Sequence, residues 1–172
     1  MTARIALISA AVLLTASTAV ADTGPTDPQI AHVAYTAGAL DVQAARLALK
    51  KSHDPAVREF AAEMVRDHEA VNGKAMELVK KLGVTPEPNA TSAALSKQAA
   101  ATSVKLAKLK GRAFDRAYAA NEAAYHATVN GALRSTLIPS ADNGELKALL
   151  ETGLALFGEH QKHAEHLAAE LK

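Results

Sequence analysis

Asp41, His68, His126 and His160 are four polar residues that fall one to each of four expected helices; His68 interrupts the apolar stripe of its helix and His160 lies on the stripe of another. Three imidazoles and a carboxylate form a donor set suited to Zn²⁺, Cu²⁺ or Fe²⁺, since neutral imidazole is a good ligand for borderline cations. Glu122 lies one turn before His126 and His163 one turn after His160, so both are further candidate ligands. The pattern differs from di-iron bundles, which carry a Glu-x-x-His pair on each of two helices. Met64, not an acid, stands four residues before His68. The same residues also admit a metal-free reading: interior histidines bonded to a carboxylate or a backbone group, with Asp41 as the partner. Asp67 and His68 read equally as a charge pair on a helix surface.

A second group, Glu159, His160, His163 and His166, sits near the C-terminus. His163 and His166 are three apart and share a helix face, so they can chelate an exposed ion weakly. Histidines in a last turn also suit the helix dipole. No serine elbow and no glycine-rich phosphate loop is present, so no catalytic site is expected. Lys105, Lys108, Lys110, Arg112 and Arg116 form a basic run, either a solvated face or a surface for an envelope partner.

Four long amphipathic segments must position these residues. Pro28 suits a first helical turn, and helix 1 is expected from there to Ser52-His53. Asp54-Pro55 is a start signal for helix 2, which ends at Lys81 or Leu82 before Gly83. The short break makes helices 1 and 2 antiparallel neighbours. Residues 84–110 hold Pro86 and Pro88, then a weaker amphipathic stretch from Thr91 to Leu109. They read as a crossover carrying a short extra helix. Helix 3 is expected over Arg112–Thr136, a turn over Pro139–Gly144, and helix 4 from Glu145 nearly to Lys172. Hairpin, long crossover and hairpin make an all-α antiparallel four-helix bundle of the ferritin-like variety. At 1.5 Å rise per residue, Asp41 and His68 differ in depth by roughly 5 Å, and His126 and His160 by roughly 8 Å.

Residues 1–21 have the form of an export signal: Arg4, an apolar run from Ile5 to Leu14, and Ala19-Val20-Ala21 for cleavage after Ala21. Residues 22–28 read as a flexible mature N-terminus and 29–172 as the bundle domain. The expected location is the bacterial periplasm or the exterior. The chain has no cysteine, which excludes disulfides, thiolate ligands and a lipoprotein anchor. Removing residues 1–21 takes away Arg4 and leaves 18 basic against 18 acidic side chains. That balance, with no Trp and 3% aromatic residues, argues against nucleic acid as a partner. No later stretch is apolar enough to span a membrane.

Three phrases carry a resemblance: Ala39-Leu40-Asp41-Val42, Phe60-Ala61-Ala62-Glu63-Met64-Val65-Arg66-Asp67-His68, and Leu109-Lys110-Gly111-Arg112-Ala113-Phe114-Asp115-Arg116-Ala117-Tyr118. They resemble the bacterial domain of unknown function 4142 family, over about residues 29–171. The resemblance implies a ferritin-like bundle in the cell envelope. His126 and His160 match the family's later histidine positions. Asp41 stands where the family usually has Glu, and Asn121-Glu122 replaces a more apolar pair. Three functions are compatible with the sequence. The first is an exported, non-enzymatic bundle binding a divalent transition metal. The second is a metal-free structural or interaction module of the envelope. The third, a ferritin-like redox enzyme, needs more interior carboxylates than the pattern offers.

Overall fold

The computed structural model describes residues 24–171; the export signal expected over residues 1–21 lies outside them. The described residues are all-helical, with no strand among them. The elements are α1 (Asp27–Lys51), α2 (Pro55–Leu82), α3 (Ala90–Lys108), α4 (Gly111–Ala132), a π-helical segment (Leu133–Leu137), the single turn α5 (Ile138–Ser140) and α6 (Gly144–Glu170). None of these helices is long and apolar enough to cross a membrane.

The boundaries follow from capping chemistry. The Asp54 carboxylate accepts from the backbone N–H groups of Ala56 and Val57, at 2.9 and 3.2 Å, and Pro55 fills the first turn of α2. Gly83 closes that helix in the left-handed region at φ 65°. The Asn143 side chain caps α6 by accepting from Glu145 and Leu146. The Asp27 carboxylate accepts from the N–H groups of Asp142 and Asn143, which ties the start of α1 to the α5–α6 corner. Since α1 begins at Asp27, the last two residues of the expected N-terminal stretch are helical.

Two differences from the expected elements matter. The extra helix in the crossover, α3, is 19 residues long. The helix expected to stop at Thr136 continues to Ser140 through the π segment, and the turn shrinks to 141–143. Pro139 explains the π geometry. Its ring would meet the carbonyl four residues back and it has no N–H to bond there, so the chain widens by one residue. The Ile138 N–H accordingly bonds the Leu133 carbonyl, five residues earlier.

α1 packs along α2, and α4 along α6; α1 also touches α4, α2 touches α6, and α3 lies over α1. The buried positions of α6 run Leu146, Leu150, Gly153, Phe157, His160, Ala164, Leu167, a strict alternation of three and four. Two hydrophobic clusters fill the interior. One centres on Phe60, Met64, Phe114, Tyr118 and Leu167, the other on Ile30, Leu133, Leu146, Leu150 and Phe157. The positions of Asp41, His68, Glu122, His126 and His160 fall between them along α1, α2, α4 and α6, so a polar layer divides the core in two.

Tyr118 is fully buried, and its hydroxyl has no hydrogen-bond partner. Burial raises its pKa well above the ordinary value. Tyr118→Phe removes an unsatisfied polar atom and keeps the ring packed against Phe60 and Phe114. The variant should be more stable by about 1 kcal/mol in urea unfolding. A destabilised variant would mean that the hydroxyl has a partner.

Candidate metal centre

The 3–4 spacing that makes each stripe apolar also aims one or two polar side chains per helix at the middle layer. α1 supplies Asp41, α2 His68, α4 both Glu122 and His126, and α6 His160. All five are between 1 and 3% exposed. The three imidazoles pack mutually, with ring centroids 5.6 Å apart for His68–His126, 5.3 Å for His68–His160 and 5.6 Å for His126–His160.

Hydrogen bonding fixes two of the three tautomers. His126 Nδ1 lies 3.0 Å from the Glu122 backbone carbonyl, which can only accept. Nδ1 therefore carries the proton and Nε2 presents a lone pair. His160 Nε2 lies 3.1 Å from Asp67 Oδ2. Arg66 holds the Asp67 carboxyl below the usual carboxylate range through two N–H contacts at 2.7 and 3.1 Å, so Asp67 is ionised and accepts. His160 Nε2 donates to it, which leaves the buried Nδ1 bare and without a partner. A carboxylate or carbonyl behind each imidazole is how metal-binding histidines are usually oriented. His68 has no such anchor. Its ring stacks on Phe157, with centroids 4.5 Å apart and planes 12° apart. Gly153 makes room for that stack, since a Cβ there would stand 3.3 Å from Phe157 Cε2.

His68 Nε2 is 3.4 Å from His126 Nε2 and 3.6 Å from Asp41 Oδ2, and His126 Nε2 is 3.5 Å from Asp41 Oδ2. The three atoms make a nearly equilateral triangle. An ion bound tetrahedrally at about 2.0–2.2 Å from each donor would space them about 3.3–3.6 Å apart. Ligand atoms from His68, His126 and His160 lie within 4.8 Å of one another, as do atoms from Asp41, Glu122 and His126. These two sets share His126. Both Asp41 oxygens and Glu122 Oε2 have no hydrogen-bond partner.

Electrostatics sharpen the picture. Burial lowers His68 to about 3, helped by the neighbouring His126 and His160. Burial lowers His126 to about 4, against the pull of its bond to Glu122. Burial also lowers His160. All three rings are therefore neutral near pH 7, the form that donates a lone pair. Burial raises Asp41 to about 7 and raises Glu122 well above the ordinary value, with Asp41 adding to the rise. Two carboxyls with no cation beside them are costly to ionise in such a place. A divalent ion would supply the missing charge. Asp41 and Glu122 also line a cavity of about 400 Å³ between α1, α3 and α4, bordered by Gln43, Gln98, Asn121 and Thr128.

Asp41, His68, His126, His160 and Glu122 are thus brought together, whereas the C-terminal group is dispersed. His163 Nδ1 lies 2.8 Å from Glu63 Oε2 and His166 pairs with Glu170 on its own helix, so those two do not converge. Glu63, Asp67 and His160 form an outer set of donors behind the inner one. Tyr125, the neighbour of His126, donates to the Ala37 carbonyl at 2.9 Å. The part of Asp67 behind His160 was not visible from its neighbour His68. The signal was its spacing from Arg66, which keeps it ionised.

Architecture and site define an all-helical domain with buried histidine and carboxylate groups that could hold a metal ion. The chain belongs to the domain of unknown function family DUF4142, whose model matches residues 13–167. No curated protein and no solved structure matches the chain.

Proposed function

We propose that this chain is an exported, periplasmic bundle of the ferritin-like kind that binds one divalent transition metal ion in its middle layer. His68, His126, His160 and Asp41 are the ligands, and Glu122 is a reserve carboxylate beside them. The pairing of α1 with α2 and of α4 with α6, joined by a long crossover, supports the four-helix arrangement. The export signal supports the periplasmic location.

The triangle of Asp41 Oδ2, His68 Nε2 and His126 Nε2 carries the reading, with edges of 3.4–3.6 Å around an otherwise unpaired carboxylate. Imidazole-rich sites suit Zn²⁺, Cu²⁺ and Fe²⁺, and carboxylate completes the charge. The 400 Å³ cavity lined by Asp41 and Glu122 lies directly against the site.

The test is metal analysis after dialysis of the purified protein against Zn²⁺, Cu²⁺ or, without oxygen, Fe²⁺. One equivalent should remain in the wild type. His68→Ala should hold that metal about 10–100-fold more weakly. Equal occupancy in both proteins would leave the histidines as core polar groups and remove the proposal.

A further inference from the structure

A second cavity, of about 130 Å³, lies on the Ile30–Leu150 side of the polar layer, among α1, α2, α4 and α6, with Thr91 and Leu95 of α3 on its border. Its walls are almost wholly carbon. Small residues line much of it: Ala31, Ala34 and Ala37 on α1, Ala75 on α2 and Ala132 on α4. Leu133 and Leu150 line it as well, and His68 and His126 reach it from the polar layer. Neither Asp41 nor Glu122 lines it, and no charged side chain does.

Interiors are normally packed without voids of this size, and an unfilled one weakens the fold in proportion to its volume. An isolated water needs two to four polar partners, and the few polar residues on the border, Asn72, Thr91, Tyr125 and Thr128, leave the walls overwhelmingly apolar. Apolar cavities of about 150 Å³ stay dry and take up benzene or xenon. We infer that this cavity is a binding site for a small uncharged apolar molecule, no larger than a benzene ring, seated against the imidazoles of His68 and His126. A dissolved gas and a small hydrocarbon share that chemistry. The inference stands on the cavity and not on the metal, so it is tested in the metal-free protein.

Benzene should raise the thermal midpoint of metal-free wild type in a concentration-dependent way, because it binds the folded state alone. Xenon should give a saturable shift in its NMR signal. A gas-sized site takes xenon and excludes benzene; a hydrocarbon site takes both, and either result supports the inference. Ala37→Leu fills the space and should weaken the binding about tenfold or more. Leu150→Ala enlarges it and should let a larger ring such as naphthalene bind, which keeps the test open should Ala37→Leu fail to fold. No response to benzene or xenon in wild type overturns the inference. So does benzylammonium binding as tightly as benzene, since a site that accepts a cation is not apolar. Failure here leaves metal occupancy untouched, and absence of metal leaves these readouts untouched.

Discussion

Asp41→Asn should stabilise the metal-free protein above pH 7 by about 2–4 kcal/mol while weakening metal binding by about a hundredfold or more. Burial raises the Asp41 carboxyl from 3.8 to about 7. Between those values the folded protein keeps a proton that the unfolded chain has released. The contribution of Asp41 is therefore fully present below pH 3.8 and is lost as pH rises through 7. At pH 8 the wild type holds a buried charge with no cation beside it, and asparagine removes it at nearly constant volume. The same change deletes the only ionised ligand, so stability and binding move in opposite directions. Urea unfolding at pH 8 and pH 4, with a zinc titration, measures both. The two proteins should converge toward pH 4, where Asp41 is protonated in the wild type. Equal stability at pH 8 would show that the carboxylate already has a counter-charge.

Acid should act most strongly on that same variant. His68 and His126 stay neutral in the folded protein down to about 3 and 4, whereas in the unfolded chain they take protons near 6.5. Through that window the unfolded state binds more protons, so stability falls as pH falls. At pH 4 the loss is on the order of 3 kcal/mol for each ring. In metal-free wild type Asp41 and Glu122, both raised by burial, work in the opposite sense over much of the same range, and together they flatten the profile. Asp41→Asn lacks the share of Asp41 and should lose several kcal/mol between pH 6.5 and 4. In the metal-loaded protein, protons compete with the ion for the ligands, so metal should leave steeply below pH 6.5. Helix signal against pH for the three forms, with released metal followed by an indicator dye, checks the set. A shallow acid limb in Asp41→Asn would mean that the rings accept protons within the fold.

Much of this was legible in the residues. Asp54-Pro55, Gly83 and Asn143 mark helix ends because each meets a local bonding demand, independent of tertiary context. The candidate ligands were legible as one polar residue on each long amphipathic segment. Their convergence was less so. The depth mismatch of His126 and His160 came from ending helix 3 at Thr136. The helical path continues to Ser140, which puts His126 14 residues before its end and His160 16 after the start of α6. The difference falls to about 3 Å. Pro139 concealed this, because a proline ordinarily ends a helix and the π segment that accommodates it has no sequence signature. The inner face of α1 was also not the one hydropathy alone suggests. Leu40, Ala44 and Leu47 look apolar enough to be innermost, yet Asp41 and Ala45 are the buried pair. Hydropathy alone cannot anticipate a carboxyl turned inward.

The interior changes character halfway along the helices, with hydrocarbon at either end and nitrogen and oxygen between. The two greasy halves meet only at that middle layer. An ion there would act as a rivet through four helices, coupling two half-interiors that could otherwise loosen one at a time. Its arrival would change how the molecule comes apart more than how it looks.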